Sequence, residues 1–137
     1  MKNILVLCTG NSCRSQMAEG WLRHFAFGKA NVYSAGIETH GVNPKAVQYM
    51  NEAGIDISAH TSNNVNEYLS IAFDFIITVC DHAKENCPYI PSNAMRFHHN
   101  FFDPSKVKGS EEEIASAFRK TRDEIKDFSE RFTKDNL

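Results

Sequence analysis

No run of this chain approaches the roughly twenty consecutive apolar residues that a membrane-spanning helix requires. The N-terminal one, Ile4-Leu5-Val6-Leu7, is also too short for the core of a signal peptide, and charged or turn residues interrupt every later one. A cytoplasmic location is therefore expected. Charge of one sign is also missing. Fifteen Lys and Arg stand against 17 Asp and Glu, net −2, without long single-sign runs, so neither nucleic acid nor an anionic membrane surface is an expected partner. The seven glycines and four prolines form no linker, repeat or low-complexity tract. Cysteine is scarce: four in 137 residues, which in a reducing compartment leaves catalysis, redox exchange or metal binding to account for them, and not a disulfide framework.

What is present fits one domain over residues 1–137. A chain of this length with 42% hydrophobic content can bury about two-thirds of its unfolded surface in a single core. Strand and helix patterns alternate. Ile4 to Leu7 reads as a strand buried on both faces, and Met17, Ala18, Trp21, Leu22 and Phe25 then recur at helical spacing until Gly28. Residues 31–36 form a second short strand. Asn43 as cap and Pro44 at the first helical position open a helix that stops at Gly54. Thr61-Ser62 with Val65, Tyr68 and Leu69 predicts a further helix, Phe73 to Val79 the strongest strand, and Ala94 to His98 a fourth strand. Ser110 caps a last helix whose face is Ile114, Phe118, Ile125, Phe128 and Phe132. The alternation predicts an α/β fold with a parallel sheet, in which Cys8 and Cys80, each at a strand end, lie at the same carboxyl edge.

Three constellations carry chemistry. In Cys8-Thr9-Gly10-Asn11-Ser12-Cys13-Arg14-Ser15, five residues separate a cysteine at a strand end from an arginine at a helix start. That span lets the backbone arch over a phosphate-sized anion with successive N–H groups turned inward and the helix dipole aimed at the same point. Gly10 and Asn11 tolerate the left-handed backbone an arch needs. Arg14 offers a planar fork to two anion oxygens. The same donors predict that Cys8 is ionised at neutral pH, with Ser15 adding a hydroxyl. The competing reading is a buried, inert strand-end cysteine.

Second, Cys80 and Cys87 are seven positions apart. On a regular helix that is about 10 Å along the axis, whereas a disulfide needs Cα atoms roughly 4.4–6.8 Å apart. Pairing requires an irregular or unwinding segment, which Pro88 and Asn86 favour. Two readings stand: a redox switch, or two unrelated thiols. A zinc site is disfavoured, since His82 is the nearest histidine and no second ligand pair has standard spacing. Third, Asp103-Pro104 is a stiffened carboxyl that could protonate a departing oxygen, or a mere turn.

Taken together, the Cys8-x5-Arg14-Ser15 loop after one strand and the late Asp103-Pro104 resemble the low-molecular-weight protein tyrosine phosphatase fold. Residues 8–21, residues 33–46 and the Cys80/Cys87 pair resemble the thioredoxin-coupled arsenate reductases within it, over nearly the whole chain. The resemblance implies a three-layer sandwich with a central four-stranded parallel sheet. It implies that Cys8 attacks arsenate held by Arg14 and the amides of Thr9, Gly10, Asn11, Ser12 and Cys13, while Asp103 protonates the departing oxygen. Cys80 would then form a disulfide with Cys8, and Cys87 one with Cys80, for thioredoxin to reduce in arsenic detoxification. No organic or metal redox cofactor is needed. Some members hold potassium through residues matching Asn11, Glu19 and Ser34 and an aspartate whose place Asn63 takes here; a hard cation prefers charged oxygens, so potassium stays an open expectation. Asn100 and Phe102 also stand where relatives have glycine and aspartate.

The rival function is hydrolysis of phosphotyrosine or small aryl phosphates through a Cys8 phosphocysteine, resolved by water. Ser105 follows the Asp-Pro where tyrosine is common in phosphatases of the fold, which favours a small inorganic substrate with weak aryl phosphatase activity. A third reading is a redox-sensing or anion-binding module, which leaves Asp103 without a purpose. A monomer is expected. Adjacent His98 and His99 face opposite sides of a strand and do not share an ion, Cys13 reads as a packed thiol, Trp21 as core, and His40 and His60 receive no role.

Overall fold

The structure is a computed structural model that describes residues 1–87, 90 and 93–137; Pro88 lies outside the described residues. Four parallel strands, β1 (Lys2–Cys8), β2 (Ala30–Gly36), β3 (Phe75–Thr78) and β4 (Met95–His98), form one sheet in the order β2-β1-β3-β4. Because β1 is central and its side chains alternate between faces, the complete burial of Ile4, Leu5, Val6 and Leu7 means that both faces of the sheet are covered. Helices α1 (Arg14–Phe25), α2 (Pro44–Glu52), α3 (Asp81–Asn86) and α4 (Glu111–Asn136) provide the outer layers. The expected three-layer α/β architecture is the one observed.

Local chemistry sets the helix ends. Asn43 Oδ1 accepts from the Lys45 amide and Pro44 occupies the first position of α2, while the Ser110 hydroxyl accepts from the Glu113 amide at the start of α4. One face of α4 enters the core through Phe118, Ile125 and Phe132, and α4 packs on α1 and α2. Trp21 is buried in that core against Phe25.

Two expectations are corrected. The helix read over Thr61 to Leu69 is only a 3₁₀ turn, Val65–Tyr68, capped by Asn64. The residues before it run extended, because the Asn63 carbonyl accepts from the Gly36 amide and Asn64 bridges to Gly36 at the end of β2. The segment between Cys80 and Cys87 is regular helix, α3, with a cysteine flanking each end.

Candidate active site

β1 delivers Cys8 to the carboxyl edge of the sheet, and residues 9–13 arch from it into α1. The carbonyls along this arch are all taken up from outside. Cys8 O accepts from the Ile37 amide at 3.3 Å, Thr9 O from Glu38 at 3.0 Å, Gly10 O from His40 at 2.9 Å and Ser12 O from Asn43 at 2.9 Å, and Asn11 O accepts from Gln16 Nε2 at 3.0 Å. In a trans peptide the C=O and the next N–H point in opposite directions. Turning the carbonyls out therefore turns the amides of residues 9–13 inward, toward the place an oxyanion would take. Cys13 spends no side-chain bond capping α1, so the first helical amides add to the same anion-favouring end.

The arch depends on two unusual positions. Asn11 is left-handed, φ 48°, a conformation that costs a non-glycine residue about 1–2 kcal/mol. Its side chain is held on three sides: Nδ2 donates to Ser15 Oγ and Ser34 Oγ, both at 2.9 Å, and Oδ1 accepts from the Asn63 amide at 2.7 Å. Gly36 has to be glycine, since a Cβ there would meet the Glu38 carbonyl and lie 2.8 Å from Asn11 N and Thr9 O.

Arg14 reaches across the opening. Its Nη1 donates to the Phe101 carbonyl at 3.0 Å and its Nη2 lies 3.5 Å from Asp103 Oδ2. The other carboxylate oxygen of Asp103 accepts from the Ser105 amide at 3.0 Å and hydroxyl at 2.6 Å. Ser105, read from sequence only as a missing tyrosine, thus orients the candidate acid. These groups border a cleft of about 500 Å³ that Cys8, Cys80 and His82 also enter.

β3 brings Cys80 to Cys8 as the shared strand-end position predicted. The Cys8 and Cys80 thiols meet closely enough to shift each other's titration, and Cys80 Sγ also lies 3.3 Å from Thr9 Oγ1. This contact couples the two titrations. It lowers Cys80 to about 5, with help from Thr9, the Ala83 amide and Arg14 against burial, and it raises Cys8, together with burial and against Arg14. At neutral pH the two thiols share one proton, so one of the pair is a thiolate beside the anion loop. Cys13 is buried and pushed up to about 12 by desolvation first and the nearby Asp103 second, as suits a packed thiol. Cys87 stands apart from both, half-buried at the far end of α3, beside Lys84 and Arg96 in a pocket of about 270 Å³. Burial raises it, against the pull of Arg96.

Beneath the arch lies a buried network that sequence reading missed. Gln16 is fully buried; its Nε2 donates to the carbonyls of Asn11 and Thr61, and its Oε1 is 3.0 Å from His60 Nδ1. The His60 Nε2 is in turn 3.3 Å from Glu19 Oε2. A polar residue at a core position one turn into α1 was the available signal.

The family model described as low molecular weight phosphotyrosine protein phosphatase matches residues 3–136. This chain belongs to that family. As a low molecular weight phosphatase family member it also has close curated relatives: an arsenate reductase of Halalkalibacterium halodurans is 53% identical over 124 residues, which is 90% of this chain and 89% of that protein. A solved arsenate reductase in an oxidized state matches with TM-score 0.84 at 31% identity, over 98% of each chain. Another, in a phosphate binding state, matches at 0.82 with 30% identity over 100% of each.

In some members of this low molecular weight phosphatase family a potassium ion is implied near Asn11, Glu19, Ser34 and the position of Asn63. The arrangement here does not fit one. Glu19 Oε1 accepts from Ser34 Oγ at 2.6 Å, and Oε2 from Arg23 Nε at 2.8 Å with His60 beside it. Asn11 commits its oxygen to the Asn63 amide. The oxygens a cation would need are already accepting, and the Arg23 guanidinium supplies positive charge in their midst.

Proposed function

We propose that this chain reduces arsenate to arsenite through a relay of Cys8, Cys80 and Cys87. The observation that carries the reading is the meeting of two thiols, Cys8 and Cys80, in one cleft with Arg14 and the anion loop. Hydrolysis by this fold needs one cysteine and a water; a second thiol in contact with the first serves thiol exchange. Arsenate binds to the loop amides and Arg14. The Cys8 sulfur attacks arsenic, leaving the proton the two thiols share on Cys80, and Asp103 protonates the departing oxygen, which leaves as water. Cys80 then attacks the Cys8 sulfur: an S–S bond forms, the S–As bond breaks with its electron pair going to arsenic, and As(V) leaves as As(III). Two thiols have supplied the two electrons. Cys87 attacks Cys80 next, freeing the Cys8 thiol and leaving Cys80–Cys87.

The Cys80–Cys87 disulfide needs an external dithiol, and thioredoxin in a reducing cytoplasm is the donor in this reading, with the chain working as a monomer. Among the described residues no helix is long and apolar enough to cross a membrane. The same loop with Asp103 also supports slow aryl phosphate hydrolysis, which the relay does not exclude. Arsenate-dependent oxidation of NADPH, assayed with and without thioredoxin and its reductase, tests the proposal. Turnover is expected only in the complete mixture. Aryl phosphate hydrolysis without any arsenate-dependent NADPH oxidation would make the chain a phosphatase.

A further inference from the structure

In the relay just described the proton shared by the two thiols is left on Cys80 once Cys8 bonds arsenic, and Cys80 can attack Cys8 only after losing it. Asp103 is engaged elsewhere, one carboxylate oxygen accepting from Ser105 and the other facing Arg14. What touches the Cys80 sulfur is the Thr9 hydroxyl, 3.3 Å away, and on its other side Thr9 Oγ1 lies 3.1 Å from His82 Nδ1. Sulfur, hydroxyl and imidazole nitrogen form an unbroken hydrogen-bonded chain from the buried thiol to a side chain on the exposed face of α3. A hydroxyl carries one proton and can accept another. It can therefore receive the Cys80 proton while handing its own to a neutral imidazole.

We infer that His82 is a positioning residue for the second step of the relay, acting through Thr9 to accept the Cys80 proton as Cys80 attacks Cys8. The inference rests on the relay reading. In the step, the proton on Cys80 Sγ moves to Thr9 Oγ1 and the Thr9 proton moves to His82 Nδ1. The sulfur lone pair forms the bond to Cys8 Sγ, and the S–As pair departs with arsenic. His82 ends as imidazolium and loses its proton to water at the cleft mouth. No other cofactor or oxidant enters.

The neighbours leave His82 this role. Asp81, the adjoining carboxylate on α3, is paired with His98 Nε2 at 2.7 Å, and His40, from the segment after β2, is paired with Glu38 at 3.1 Å. Cys8, Cys13 and Arg14 of the loop and Asp103 and Lys106 beyond β4 are the other titratable and charged groups of the cleft.

The test is a rapid-quench single turnover in a Cys87→Ser background, where the relay stops at Cys8–Cys80 and that disulfide is counted by peptide mass mapping. His82→Phe should slow its formation by tenfold or more at neutral pH, within the range expected for a lost proton-transfer group, and added imidazole should restore part of the rate. Equal rates with and without His82, or a slowed variant that imidazole does not rescue, would overturn the inference while leaving the relay standing. Absence of any Cys8–Cys80 disulfide in either protein would overturn both.

Discussion

Replacing Ala83 by glycine tests whether α3 must unwind for Cys87 to reach Cys80. Two cysteines flanking this helix are held about 10 Å apart along its axis, against the roughly 4.4–6.8 Å a disulfide allows. The helix has six residues, Asp81–Asn86, far below the length at which an isolated helix is stable. Only Ala83 in it is buried, at 0% exposure, and side-chain ties hold its start, from Asn100 Oδ1 to the Asp81 amide, from His98 to Asp81 and from Thr9 to His82. Ala83→Gly removes a buried methyl, about 0.8 kcal/mol, and adds a helix penalty of about 1 kcal/mol. It keeps the Ala83 amide that supports Cys80. A loss of about 2 kcal/mol confined to α3 raises its open population roughly 20- to 30-fold. Hydrogen exchange should show that loss of protection at Lys84 to Asn86 with none in β1 or α4, and conversion of Cys8–Cys80 to Cys80–Cys87 should accelerate up to the same factor. If exchange at α3 quickens while the conversion does not, opening of the helix does not limit the second exchange and the reasoning fails.

Cys8→Ser should abolish both arsenate reduction and aryl phosphate hydrolysis, with retained turnover in either assay counting against the nucleophile. For Asp103→Asn, adduct formation should slow by about a hundredfold or more, the scale of a lost general acid; an unchanged pre-steady-state burst would remove its role. The titration of Cys80, lowered to about 5 chiefly by the Cys8 hydrogen bond, should appear as an inflection near pH 5 in its alkylation, mapped by mass spectrometry, with the thiolate form above that pH. Cys8→Ala should move the inflection upward, toward an ordinary thiol. The informative quantity is the inflection and not the rate at pH 7, because a lower pKa makes a weaker nucleophile and offsets much of the gain in thiolate.

The sheet and the anion loop were legible because their signals are local. An apolar run ending in Cys8, small residues tolerant of turns and Arg14 opening a helix sit within fifteen positions, and the end of Phe73 to Val79 at Cys80 places the second thiol on the same edge by the rule of parallel sheets alone. Harder to read were interactions that join distant positions. Gln16 meets Thr61 and His60 across 45 and 44 residues, and a polar residue at a core position of α1 hints at burial without naming its partners. The coupling of Cys8 to Cys80 is of the same kind. The loop taken alone predicts a thiolate at Cys8; the proton it shares with Cys80, from another strand, is not visible there. The regular helix between Cys80 and Cys87 also runs against the local hint of Pro88, which lies outside the described residues, because Cys80 already presents the backbone that starts a helix, its carbonyl accepting from the Lys84 amide at 3.2 Å.

Trapping the first disulfide tests the relay most directly. A Cys87→Ser protein, fully reduced and mixed with excess arsenate in the absence of any added reductant, should release one arsenite per chain and stop, with Cys8 and Cys80 joined in one disulfide by peptide mapping and no further turnover on adding thioredoxin and its reductase beyond what reduction of that bond allows. Stoichiometric arsenite with Cys80 still free, or with a different cysteine joined to Cys8, would contradict the relay.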